Sequence, residues 1–296
     1  MTALLTVAAL IAAAALAFWI PRWRLRRAID APFPEHFTAI LENNIPITTR
    51  MPGVLQLRLQ NLIKQFLFQK NFVGCDGLEI TDEMRVTIAA QACLLLLNRK
   101  PRVYPGLWSI LVYPSAFIAP RIEEEASGVV SYDEQDLEGE AWGDGRVILA
   151  WDHVLLGARN FGDGENVVLH EFAHLLDHES GSPNGAPYLG SASSYRSWAE
   201  VLSREFSRLQ ADAMMHNESL LDHYGATDPA EFFAVATETF FEKPAQMAKH
   251  LPALYEELKK YYRVDPREWH SPTGSGNGRH QDEDAEDEQD SGLEEL

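Results

Sequence analysis

His170-Glu171-Phe172-Ala173-His174 sets two imidazoles four residues apart, with a carboxylate beside the first. A helix turns about 100° per residue, so positions four apart return to one face roughly one pitch apart. Both rings can then grip one metal ion, and tetrahedral zinc is the ion this HExxH spacing suits. Glu171 splays sideways from the two ligands, where it can reach a water at the site rather than the metal. Ligands and base are thereby separate residues, which is the division that hydrolysis by an activated water requires. The bland alternative is two histidines that only satisfy backbone carbonyls or solvent.

The surrounding run, Glu165 to His178, is dense in apolar residues and free of Gly and Pro, as a mostly buried helix would be. Asp163-Gly164 supplies a turn before it and Ser180-Gly181-Ser182-Pro183 stops it, so the motif falls mid-helix. A catalytic zinc takes three protein ligands and keeps one position open. The metzincin pattern would put Gly at 177 and His at 180; Asp177 and Ser180 exclude it. The helix opening at Asp228-Pro229 offers Glu231, Glu238 and Glu242, spaced by seven and four, opposite Phe232, Phe233, Ala236, Phe240 and Phe241. Carboxylates on a largely buried helix need compensation, and a cation supplies it economically. Glu231 also fits a capping box with Asp228, and Glu238 and Glu242 fit a solvated face or, for Glu242, a pair with Lys243. Spacing alone leaves Glu231 and Glu238 level as third ligand. Asp177, three residues past His174, fits equally an imidazole-orienting carboxylate and an ordinary polar helix end.

Val168 to Asp177 together with Tyr224-Gly225-Ala226-Thr227-Asp228-Pro229-Ala230-Glu231-Phe232-Phe233-Ala234-Val235 resembles the glucose-regulated zinc peptidases called Mlc titration factor A. The likeness extends more weakly to Val112-Tyr113-Pro114-Ser115-Ala116-Phe117 and to Phe240-Phe241, and so covers about residues 50 to 266. The resemblance implies Glu231 as third zinc ligand and Tyr224 as a phenol pointing into the site, where it would stabilise the oxyanion of peptide hydrolysis. It implies a fold similar to the catalytic domain of anthrax lethal factor, hence an α+β, gluzincin-like domain, mostly helical with a small sheet. It also implies aminopeptidase-type activity on a peptide or protein substrate. A second role that it implies is binding of a transcriptional repressor of the Mlc type, which affects sugar uptake genes. Members of that family are soluble and cytoplasmic.

Residues Thr2 to Ile20 carry no charge and would span about 28 Å as a helix, close to the hydrocarbon thickness of a bilayer. Arg22, Arg24, Arg26 and Arg27 follow that stretch, with Trp19 and Trp23 at the boundary. A cleavable signal would place its positive charge first, so the order reads as a transmembrane anchor with the rest of the chain in the cytoplasm, tethered to the inner membrane. A peripheral helix, or an unprocessed secretory segment, is the alternative, and a soluble cytoplasmic chain is the family norm.

At 296 residues and 46% hydrophobic content the chain can bury a sizeable core. Its net charge is −19, of which residues 271–296 contribute −8 through nine acids against Arg279. The remaining −11 repels phosphate backbones and argues against direct nucleic-acid binding. Cys75 and Cys93 sit in unlike contexts and read as buried free thiols. The expected division is an anchor over 1–21, a basic juxtamembrane linker over 22–34, a peptidase domain over 35–268 and a disordered acidic tail over 269–296. Within the domain the pattern predicts helices over Gly53–Phe72, Thr81–Asn98, Tyr195–His216, Pro229–Glu242 and Leu251–Tyr262. Extended segments are expected at Leu78–Ile80, Trp108–Tyr113, Ala116–Ile118 and Arg146–Trp151, with a polar acidic loop after Ile118.

Overall fold

Asn166 opens the motif helix: its side-chain oxygen accepts from the Leu169 N–H at 3.0 Å, a cap worth about 1 kcal/mol. The computed structural model describes residues 2–270 apart from 100–102, 116, 125–129, 138, 143–144 and 182. In chain order the elements are α1 (Thr2–Asp30), α2 (Glu35–Asn44), α3 (Gly53–Gln69), β1 (Asn71–Gly74), α4 (Asp82–Leu94), β2 (Ser109–Tyr113), β3 (Phe117–Glu124) and β4 (Val130–Leu137). They continue with β5 (Gly139–Trp142), β6 (Arg146–Ala150), α5 (Trp151–Arg159), α6 (Val167–Asp177), α7 (Ala192–Met215), α8 (Pro229–Glu242), α9 (Pro244–His250), α10 (Pro252–Tyr262) and α11 (Arg267–His270). The described chain is thus mostly helical, with one small four-stranded sheet beside a two-stranded hairpin of β3 and β4.

That sheet runs β1-β2-β6-β5, with the first three strands parallel and β5 antiparallel to β6. α6 packs against β5 and β6, against α8 and against α4. The seam is aromatic: the Phe172 ring of α6 meets Tyr104 at 4.7 Å edge-on and Phe66 at 5.8 Å. Such pairs add roughly 0.5–1.5 kcal/mol each beyond the area they bury. Phe232, Phe233, Phe240 and Phe241 bury the apolar side of α8, so the motif helix stands on a rigid base.

Several sequence expectations need correction. The helix expected to reach Phe72 stops at Gln69, because Asn71 donates to the Trp108 carbonyl at 3.0 Å and the chain joins the sheet as β1. Leu78–Ile80 is not a strand. After the turn at Asp76 and Gly77 it folds back so closely that a Cβ on Gly74 would meet the Leu78 oxygen at 1.8 Å. The second helix ends at Leu94, not Asn98. Between β2 and β5, where an acidic loop is expected, β3 and β4 pair as an antiparallel hairpin from Phe117↔Leu137 to Glu124↔Val130. Ala116, at the start of that expected extended stretch, lies outside the described residues. α2 and α5 are further helices that the periodicity does not flag.

Both ends of the domain also shift. α1 continues unbroken through all four arginines to Asp30, so most of the stretch expected as linker is helix. Lys64 of α3 secures its end by donating to the Ile29 and Ala31 carbonyls, the latter at 2.6 Å. At the other end Trp269 is 0% exposed, and His270 shares a hydrogen bond with the Phe241 carbonyl at 2.8 Å, so folded chain extends to His270 rather than 268. The acidic tail from Ser271 onward lies outside the described residues. Both cysteines are free; Cys93 is buried in α4, whereas Cys75 is only half-buried.

Candidate metal centre

α6 presents His170 and His174 on one face, with Nε2 atoms 3.2 Å apart. α8 brings Glu231 to them from 57 residues further along the chain than His174: Glu231 Oε2 lies 3.0 Å from His170 Nε2 and 3.4 Å from His174 Nε2. Bonds of about 2.0–2.1 Å at tetrahedral angles would hold donor atoms roughly 3.3 Å apart, so two nitrogens and one oxygen at these spacings suit a single small cation. Asp228 makes the meeting possible. Its Oδ1 accepts from the N–H groups of Ala230 (2.7 Å) and Glu231 (3.0 Å), which starts α8 while the Glu231 carboxylate turns to the imidazoles.

Glu238, two helical turns beyond Glu231, is buried rather than solvated and lies behind the other nitrogen of the His170 ring. Its Oε1 meets His170 Nδ1 at 2.8 Å, and its other oxygen accepts from the Asn166 backbone N–H. A carboxylate on the far ring nitrogen fixes the tautomer and aims Nε2 at the shared point. Glu242 does not pair with Lys243; it accepts from Gly164 N–H at 2.8 Å and Asn166 Nδ2 at 3.0 Å. Asn166 therefore caps α6, donates to both α8 carboxylates and reaches Gln91 of α4 at 2.9 Å. The sequence held a signal for it, a helix-capping residue at the head of the motif helix, but nothing that named its partners. Asp177 is fully buried and accepts from the Asn184 and Gly185 N–H groups at 2.8 and 2.7 Å, tying down the loop after α6.

Glu171 is buried beside His170, on which its charge acts. Tyr224 sits on a short 3-10 turn, His223–Ala226, pinned by Asp222 accepting from its N–H at 2.7 Å and by Thr227 donating to its carbonyl. Its ring centroid is 6.0 Å from that of His170, yet the residue is 56% exposed. It stands on the open side of the cluster.

Burial opposes a charged His170, but the Glu238 and Glu231 carboxylates overrule it and hold the ring well above the usual imidazole range. Burial likewise works against an ionised Glu231, yet hydrogen bonds from the two imidazoles bring it down to about 2. The cage thus draws positive charge to itself, whether carried by protons or by a metal ion. Burial also pushes Glu242 up to about 9. Its folded value lies above the unfolded one, so its contribution is present in full below about 4.5 and is lost as pH rises through about 9. Glu242→Gln, which cannot ionise, is expected to flatten this loss, which amounts to up to about 1.4 kcal/mol per pH unit. Urea melts from pH 5 to 9 that fall equally for both proteins would contradict this.

A paired-histidine helix met by a glutamate from a second helix, with a buried carboxylate beside the first histidine, is the architecture of a metal-dependent hydrolase site. The profile of the glucose-regulated metallo-peptidase M90 family matches residues 20–263, and the chain belongs to that family. An uncharacterized protein of Synechocystis sp. is 40% identical over 82% of this chain and 89% of its own length. Proteins named Mlc titration factor A are similar as well. The one from Klebsiella pneumoniae is 33% identical over 75% of this chain and 84% of its own, and the one from Salmonella arizonae 32% over 75% and 88%. Membership of a metallo-peptidase family implies a metal, and the cluster of His170, His174 and Glu231 is where the described residues could hold one.

Proposed function

We propose that this protein is a zinc-dependent peptidase of gluzincin type that hydrolyses peptide bonds, with aminopeptidase-type preference. The convergence of His170, His174 and Glu231 on one point carries the reading. These three would hold the ion, which when bound supplies Lewis acidity and makes a nearby water acidic enough to attack at neutral pH. Glu171 takes the proton from the attacking water and returns it to the leaving amine. Tyr224 donates its phenolic O–H to the carbonyl oxygen as negative charge develops there, and its open position beside His170 leaves room for the substrate. Glu238 keeps the His170 ring in one orientation throughout.

The test is cleavage of an amino-terminal amide reporter. Turnover should stop with a chelator and return with one equivalent of zinc; turnover indifferent to chelation would overturn the reading. In the same assay Tyr224→Phe is expected to lower kcat about 10²-fold with KM little changed. An equal rate would remove Tyr224 from the mechanism.

The name of the Mlc titration factor relatives favours a second reading, in which this chain also binds and sequesters a repressor of the Mlc type and so affects sugar-uptake genes. Hydrolysis would then be secondary. For location, α1 is the one helix among the described residues long and apolar enough to cross a bilayer, with mean hydropathy 2.3 and none of that window buried. We read residues 2–20 as an inner-membrane anchor that leaves the peptidase domain, from residue 35 to His270, in the cytoplasm. Alkaline extraction of membranes should retain the intact chain in the pellet; release into the soluble fraction would contradict the anchor.

A further inference from the structure

A cavity of about 690 Å³ lies between the turn that follows α4, the start of α7 and α10, and none of the three candidate metal ligands lines it. That volume suits a small organic molecule. Its walls are flat and aromatic where Tyr188, Trp198 and Tyr261 face it, and polar elsewhere. Three cations, Arg99, Lys260 and Arg263, and two carboxylates, Glu179 and Glu257, line it, which leaves +1 on a chain of net charge −19. The carboxylates are already matched. Arg99 meets Glu179 at 3.0 Å, and Glu257 accepts from Lys260 at 2.8 Å and from Ser197 at 2.6 Å. Arg99, stacked 4.7 Å from the Tyr261 ring centroid, still has a buried Nη1 without a hydrogen-bond partner among the described residues. Arg263 forms no ion pair among the described residues. The donors left over call for an acceptor that bears one negative charge.

We propose that this cavity is a second ligand site, for a small organic monoanion in which a carboxylate is joined to a flat apolar body. Arg263 at the rim receives the carboxylate, and Tyr188 and Trp198 sandwich the body. The site is joined to the metal centre through one residue. Trp198 donates its indole N–H to the Gly185 carbonyl at 2.8 Å, and Gly185 donates to Asp177 at the end of α6. Gly185 has φ +73°, and a Cβ there would meet the Pro229 oxygen at 2.2 Å, so it also abuts the first turn of α8. A ligand that moves Trp198 moves a residue wedged between the two ligand-bearing helices; this coupling rests on the metal reading above.

Ligand-observed NMR on the full chain tests the site with indole-3-carboxylate, its neutral isostere indole-3-carboxamide, and inorganic phosphate. The carboxylate should bind at least about 10-fold more tightly than either of the others. Arg263→Gln and Tyr188→Ala, both at exposed positions, should each weaken it by about 10-fold without altering the thermal melt. Equal binding of carboxylate and amide, phosphate binding as tightly as indole-3-carboxylate, or variants that bind like the wild type would each overturn the assignment. Zinc titration with and without indole-3-carboxylate reads the coupling, because two linked ligands must shift each other's affinity by one common factor. A factor of one overturns the coupling. Failure of zinc to bind at all overturns the metal reading and leaves the cavity result standing.

Discussion

Glu171→Gln is expected to lower amide hydrolysis by at least about 10³-fold, a loss of roughly 4 kcal/mol of transition-state stabilisation, while one metal ion per chain stays bound. Gln is nearly isosteric with Glu but cannot accept a proton at neutral pH. Glu171 lies outside the donor set, since the atoms that converge belong to His170, His174 and Glu231. Loss of rate with metal retained therefore isolates the base from the ligands. The same variant separates catalysis from partner binding: a repressor-type partner should be captured as well by the variant as by the wild type. Loss of both properties would disfavour a separate binding role, and near-normal turnover would remove Glu171 as the base.

The second large effect is expected at Glu231. Metal analysis should find about one zinc per wild-type chain and little in Glu231→Ala, because the oxygen that faces both imidazoles, at 3.0 and 3.4 Å, is removed. Glu238→Gln should behave differently. It retains all three donor atoms and loses only the carboxylate charge behind His170 Nδ1, a change that typically costs about 10–100-fold in affinity. Full zinc occupancy in Glu231→Ala would mean that another group completes the site. Equal losses in the two variants would mean that Glu238 binds the ion as well.

The pair of histidines was legible in the sequence because a single helix fixes their relation, and periodicity alone puts positions 170 and 174 on one face. Glu231 and Glu238 were not separable on those terms. Both lie on one stripe of α8, and only the placement of α8 against α6 gives one the Nε2 side and the other Nδ1. The same limit explains Asn166, whose cap is local but whose partners, Gln91, Glu238 and Glu242, come from two distant helices. In the fold, long helices with one apolar side were readable. β1 was not, because Asn71–Gly74, whose first two residues close a helical pattern, become a strand only through pairing with β2. The hairpin β3–β4 was hidden by charge: Arg121, Glu123, Glu124, Asp133 and Glu134 fall within paired segments that read as loop.

Lys64 has a mechanical consequence. By donating to the carbonyl of Ile29, in the last turn of α1, and to that of Ala31 just past it, this side chain ties the foot of the first helix to α3 of the globular body. If residues 2–20 lie in a bilayer, as proposed above, the remaining ten residues of α1 span about 15 Å between the lipid and the body. On that proposal the tether sets an altitude, and a substrate segment would have to reach the level of the candidate metal centre to be cut.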